Sequence, residues 1–220
     1  MDANLPRLYA HPFSSYSQKV LVALYENQTP FEYRSLESPG APEELAALWP
    51  IKRFPVLVDA GRTVLEATSI IEYLDIHHPG PMRLVPIDAD TALQVRMMDR
   101  VFDNYVSTPQ QKVVFDRLRP EPVRDPHGVV EARAMLATAY AWLDKVMANR
   151  EWAAGDSFTL ADCAAAPFLF YADWTERIDP AFANLLDYRH RLLARPSFAR
   201  AVEEARPFRK YFPLGAPDRD

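Results

Sequence analysis

The spacing of apolar residues in this chain changes near residue 85. Before that point short apolar runs alternate with amphipathic ones. RLYA (7–10) reads as a strand. SYSQKVLVALYE (15–26) reads as a helix, with Val20, Leu21, Ala23 and Leu24 spaced for one buried face. FEYRSLE (31–37) alternates weakly and predicts a second strand. PEELAALW (42–49) predicts a short helix, with Pro42 suited to its first turn. FPVLVD (54–59) predicts a third strand, and the Gly turn in AGRT (60–63) leads into TVLE (63–66), which closes a hairpin. ATSIIEYLDIHH (67–78) predicts a helix that Pro79-Gly80-Pro81 stops. The order is β-α-β-α-β-β-α.

After the Pro-rich linker stretch PGPMRLVP (79–86) the period is purely helical. Helices are expected over 89–118, 129–149, 159–173, about 181–195 and 197–205. Pro109 falls inside the first of these and predicts a kink. The tail PLGAPDRD (213–220) is polar and Pro-containing, and is expected to be loose. The expected organisation is an α/β domain over 1–80, a linker at 81–88, and an all-helical domain over 89–220.

Composition narrows the function. The 220 residues are 49% apolar and 25% charged, an ordinary globular balance. A net charge of −5 argues against nucleic acid or an anionic membrane as partner. No apolar run approaches the ~20 residues that span a bilayer. The N-terminal MDANLPRLYAH has no leader-like apolar core and carries Asp2 early, so a cytoplasmic location is expected. The single cysteine, Cys163, excludes an internal disulfide and a cysteine metal cluster. His11, His77, His78, His127 and His190 are scattered, and no metal is expected. Neither GxGxxG nor GxxxxGK occurs.

The candidate chemistry begins in HPFSSYSQKVLVAL (11–24), where Ser14, Ser15, Tyr16 and Ser17 crowd hydroxyls between the first strand and the first helix. Serine is a preferred N-cap, and Ser15-x-x-Gln18 has capping-box spacing. With Ser15 as the cap, Ser14 lies just outside the helix and keeps a free hydroxyl over its positive end. A hydroxyl placed there can donate to a thiolate. Cys163 lies far away in an alanine-rich helical run, so the thiol would come from a ligand.

These residues resemble the cytosolic glutathione transferase family, over about residues 6 to 213. HPFSSYSQKVLVAL is similar to the family's first strand-to-helix turn. In serine-type classes a serine there bonds the glutathione thiolate, and Ser14 matches it. KRFPVLVD (52–59) resembles the loop before the third strand. Pro55 would be its cis-proline, Phe54 would offer its backbone to the cysteinyl part of glutathione, and Arg53 would lie near the glycyl carboxylate. LEATSIIEYLD (65–75) resembles the Glu/Gln-Ser pair at the γ-glutamyl end. Glu66 matches the acidic member, while Ala67 stands where Ser is usual. The Ala67 N–H can still meet a carboxylate, and Thr68 is the neighbouring hydroxyl that would compensate. SFTLADCAAAPF (157–168) resembles the helical domain's signature, in which the role of Asp162 is structural.

The resemblance implies a thioredoxin-like α/β domain packed on an all-α domain, glutathione as co-substrate, no metal, and a homodimer. The reaction it implies is attack by the glutathione thiolate on a small hydrophobic electrophile. Phe13, Tyr16, Asn104, Tyr105 and Thr108 are candidate walls for that second substrate, the last three because they precede the Pro109 kink. Two other readings are carried. One is a glutathione-dependent isomerase of the maleylacetoacetate type, although Tyr16 replaces the cysteine usual in that class. The other is a non-catalytic ligand-binding or protein-interaction module, which the Ala67 departure favours.

Overall fold

The structure is a computed structural model that describes residues 5–220. The Asp2 part of the leader reading lies outside them. Four strands form one sheet: β1 (Arg7–Ala10), β2 (Glu32–Ser35), β3 (Val56–Asp59) and β4 (Arg62–Val64), in the order β2-β1-β3-β4. β1 and β2 are parallel, with Leu8 opposite Tyr33; β3 runs antiparallel to β1, with Leu8 opposite Leu57. β4 closes a hairpin on β3 around Gly61, whose φ of +78° suits a residue without a Cβ.

The strand period sorts the side chains into two layers. Leu8, Ala10 and Leu57 face helices α1 (Ser15–Glu26) and α3 (Ala67–His77), meeting Val20, Leu21, Leu24, Ile70, Ile71 and Leu74. Tyr9 and Val56 face the other way, against Leu45 of α2 (Ala41–Leu48), and the buried Tyr9 hydroxyl donates to Glu44 at 2.9 Å. Tyr9 therefore packs within the sheet domain.

Residues 79–88 form no regular element, and apart from an isolated Trp152–Gly155 bridge the regular elements beyond them are helices. The expected 89–118 helix is α4 (Ala89–Val101), a π-helical turn over Phe102–Ser107, and α5 (Thr108–Leu118). Pro109 lacks an N–H to continue an α-helical ladder. The chain answers with wider π bonds ahead of it, and Thr108 N–H reaches back to Asp103 O. The irregularity thus falls one turn before the proline and re-aims residues 102–107. After a 3-10 turn at Glu121–Val123 come α6 (Pro126–Met147), α7 (Leu160–Thr175), α8 (Ala183–Ala194) and α9 (Pro196–Ala205). Every residue of α7 is buried, as its mostly apolar composition requires, and the acidic Asp162 and Asp173 within it are hydrogen-bonded. α7 packs on α1 and α4 and ties the two parts of the chain into one core.

Asp162 anchors the start of α7. It accepts bonds from the N–H groups of Ala153 and Thr159, both at 2.8 Å, and from the Tyr188 hydroxyl at 2.6 Å. That is the structural role expected for it. The tail is not loose. A 3-10 turn over Arg206–Tyr211 leads into it, Arg219 bonds the carboxylate and the carbonyl of Asp173, and Asp220 pairs with Arg206 and Arg209. Leu214 and Ala216 pack on the core. Among the described residues, no helix is long and apolar enough to cross a membrane.

Candidate active site

The start of α1 sets the centre of the site. Ser14, not Ser15, is the N-cap. Its φ and ψ are −96° and 124°, its Oγ accepts from Ser17 N at 3.3 Å, and its N–H donates to His11 O at 3.0 Å. Ser15 is already the first helical residue and lines an adjoining cavity. Ser17 is buried, and its Oγ accepts from His11 N at 3.3 Å, so it holds the turn. The capping and functional readings of Ser14 are compatible. A hydroxyl has one donor and two acceptor positions, and capping uses an acceptor. The proton stays available toward the cleft, beside the Ser15 and Tyr16 N–H groups that no helical carbonyl reaches.

A cleft of about 410 Å3 opens at this point between the sheet and the helical part. Ser14, Tyr16, Arg53, Phe54, Pro55, Glu66, Ala67 and Asn104 line it, from four separate stretches of chain. The Phe54–Pro55 bond is cis. Neither backbone group of Phe54 pairs with another backbone group among the described residues, so both are open to an extended ligand. Glu66 sits at the start of α3 with φ 66° and ψ 124°, a region non-glycine residues rarely occupy. Such a conformation costs about 1–3 kcal/mol and persists where the surroundings enforce it. Here it directs Glu66 into the cleft, above the free N–H groups of Ala67 and Thr68.

A second, smaller cavity of about 250 Å3 adjoins the first and shares Ser14 and Phe54 with it. Phe13, Val114, Phe115, Tyr171, Tyr211 and Phe212 make it largely aromatic. Phe13 packs edge-on to Tyr171, and Tyr16 edge-on to Phe168 at 4.9 Å. Burial pushes the Tyr16 phenol up, so it stays neutral at pH 7. Tyr105 and Thr108 lie outside both cavities. Tyr105 is exposed, and the Thr108 hydroxyl donates to Asp103 O at 2.9 Å. Cys163 is fully buried and its thiol is pushed up by that burial, which leaves it no nucleophilic role.

The sequence reading missed Trp49, Arg100, Asp103, Gln111 and Phe115, which also line the cleft. Beneath them lies a buried ionic network. Lys19 Nζ lies 2.6 Å from Asp99 and 3.3 Å from Asp103, and donates to Thr68 Oγ1 at 2.9 Å. Thr68 Oγ1 also accepts from Arg100 at 2.6 Å and donates to Asp99 at 2.8 Å. All three positions of that hydroxyl are therefore used. Thr68 holds the network and does not replace the serine hydroxyl missing at Ala67. Burial pushes the Asp103 carboxyl up, against the pull of Lys19 and Arg100. Among the described residues, no group of His, Cys, Asp and Glu could hold a metal ion.

Comparison with known proteins identifies the family. The glutathione S-transferase N-terminal domain family matches residues 8–82, and the glutathione S-transferase C-terminal domain family matches 111–196. A glutathione S-transferase from Methylobacterium radiotolerans, solved in complex with glutathione sulfonate, is 30% identical with a TM-score of 0.77, covering 90% of this chain and 94% of that one. The chain belongs to the glutathione S-transferase family. Among curated relatives, a stringent starvation protein A homolog from Coxiella burnetii is 26% identical over 93% of this chain and 95% of its own. A maleylacetoacetate isomerase from Dictyostelium discoideum is 23% identical over 94% and 97%.

Proposed function

We propose that the protein is a serine-type glutathione transferase in which Ser14 donates a hydrogen bond to the thiolate of bound glutathione. The observation that carries this is the placement of Ser14. It caps α1 through an acceptor lone pair, keeps its proton, and lies where the glutathione-sized cleft meets the aromatic cavity. A charge-assisted hydrogen bond is worth about 1.5–3 kcal/mol, and one pKa unit corresponds to about 1.36 kcal/mol. With the helix end beside it, a thiol of pKa ~8.5 falls by about two units and is mostly ionised at pH 7.

The ligand's other parts find complementary groups. Arg53 faces the glycyl carboxylate, the open backbone of Phe54 beside Pro55 pairs with the cysteinyl unit, and Glu66 with the Ala67 N–H meets the γ-glutamyl end. The thiolate then attacks an electrophile held in the aromatic cavity, with Phe13 in its wall and Tyr16 and Asn104 on the adjoining cleft. The protein supplies orientation and charge stabilisation, and the nucleophile belongs to glutathione. A methylobacterial relative solved with glutathione sulfonate supports the co-substrate. Exposed Leu93 and Met97 on α4 support a homodimer. The test is calorimetric binding of glutathione followed by turnover of an activated aryl halide. Binding with turnover above the uncatalysed rate supports the reading; no binding contradicts it.

A second reading, glutathione-dependent isomerisation, is favoured by the likeness to a maleylacetoacetate isomerase. Turnover of a maleyl-type keto acid without net consumption of glutathione would select it over conjugation.

A further inference from the structure

The γ-glutamyl end of the cleft presents a chemical gap. An amino-acid head group carries an α-ammonium and an α-carboxylate. Glu66 answers the first. The hydroxyl that would answer the second is missing at Ala67, and the neighbouring Thr68 hydroxyl is fully engaged. Arg100 lines the same cleft wall as Glu66 and Ala67, reaching it from α4. Its Nε and Nη2 are spent on Asp99, Thr68 and Asp103. Its Nη1 has no hydrogen-bond partner among the described residues, and its side chain is 52% exposed.

We propose that Arg100 is the positioning residue for the α-carboxylate at the γ-glutamyl end, so that an Arg100–Glu66 pair selects a free amino-acid head group there. The inference rests on glutathione being the ligand. Three features support it. The guanidinium is held on one edge by Asp99 and Asp103, so its free edge is fixed before a ligand arrives, and little rotamer freedom remains to be lost. The charges match in number and order: the ligand's two carboxylates have Arg53 at one end and Arg100 at the other, and its ammonium has Glu66. Lys19, Asp99, Asp103 and Arg100 form a network of zero formal charge, so the arriving carboxylate meets no excess negative charge from beneath. Anchoring from α4 also places one end of the peptide under the control of the helical part, which carries most of the aromatic cavity.

The experiment compares glutathione with its analogue in which the γ-glutamyl α-carboxylate is a carboxamide, by calorimetry on wild type, Arg100→Gln and Arg100→Lys. Wild type is expected to bind glutathione about tenfold more tightly than the carboxamide, the scale of one charge-assisted bond at a half-exposed site. Arg100→Gln is expected to bind both within about twofold of each other, and Arg100→Lys to recover part of the preference. A purely structural role would weaken both ligands equally and leave their ratio unchanged. An unchanged ratio in Arg100→Gln therefore overturns the proposal. If that variant does not fold, the wild-type pair decides alone, since wild type that binds glutathione without distinguishing the carboxamide overturns the Arg100 assignment and leaves the glutathione reading intact. Wild type that binds neither ligand overturns the glutathione reading and this assignment with it.

Discussion

Ser14 Oγ accepts the backbone N–H of Ser17 at 3.3 Å, while Ser17 Oγ in turn accepts the N–H of His11. The two serines therefore lock the strand-to-helix turn from both sides. Ser15, between them, makes no hydrogen bond through its hydroxyl among the described residues. Ser15→Ala is accordingly expected to change stability by less than about 0.5 kcal/mol. Ser17→Ala, which leaves the His11 N–H without its partner, should cost about 1–3 kcal/mol. Denaturant midpoints of the two variants check this, and an equal loss in both would contradict the cap assignment.

Glu66 stores backbone strain at the ligand's γ-glutamyl end. Glu66→Gly removes the steric cost of φ 66° and should leave stability within about 1 kcal/mol of wild type, since the relief offsets the greater freedom of the unfolded chain. It should weaken glutathione binding about tenfold by removing the partner of the ammonium. A variant with clearly lower stability and unchanged affinity would show Glu66 to be structural.

Lys19 is buried on α1 against Asp99 and Asp103. Lys19→Met leaves two buried carboxylates with only Arg100 to balance them, and is expected to cost about 3–5 kcal/mol. Chemical unfolding measures it. A loss under 1 kcal/mol would mean that the network does not hold α1 to α4.

Asp59 sits where the sheet meets the end of α3. Burial works to raise its pKa, but hydrogen bonds from His78 at 2.6 Å and Tyr73 at 2.9 Å outweigh it and hold the carboxyl below its usual range. The unfolded chain therefore binds the proton more readily than the folded one. The stability Asp59 contributes is present above the ordinary pKa of ~3.9 and is lost as pH falls through the lowered folded value. Asp59→Asn should melt below wild type at pH 7, with the gap narrowing as pH falls below about 4. A gap that does not change with pH would contradict the assignment.

Tyr211, Phe212 and Pro213 wall the aromatic cavity but not the glutathione cleft. The tail that follows is held by Arg219 on Asp173 and by Asp220 on Arg206 and Arg209. Releasing it with Arg219→Ala and Asp220→Ala should raise KM for the electrophile roughly 2- to 5-fold, the scale of a small loss of apolar cover, while glutathione affinity stays within twofold. A change in glutathione affinity instead would place the tail's influence at the other site.

Much of the fold was legible because each element carries its own period. β1 and α1 begin and end where the apolar spacing indicated, and Pro79-Gly80-Pro81 closes α3 as expected. The cap was misassigned because Ser14 and Ser15 meet the same chemical requirement. The difference is the Ser14 N–H bond to His11 O, which only the folded turn shows. The kink moved ahead of Pro109 because a missing N–H can be absorbed by wider bonds before it as well as by a bend at it. The tail is ordered by ion pairs to residues well back in the chain, and tail composition does not encode that.

In the cleft, the residues near Ser14, Phe54 and Glu66 were legible from local motifs. Arg100, Asp103, Gln111 and Phe115 were not, because helix packing brings them in from a distant stretch. One signal was available. Lys19 falls on the apolar face of α1, which demands a buried counter-charge, and Asp99 with Asp103, one helical turn apart, is a pair able to supply it.

The most direct measurement is the pH titration of thiolate absorbance for glutathione bound to wild type and to Ser14→Ala. The bound thiol is expected to titrate about two units below its free value in wild type and to return close to that value in Ser14→Ala, with glutathione still bound. A bound thiol that titrates at its free value in wild type, or a lowered value that survives Ser14→Ala, would contradict the Ser14 assignment.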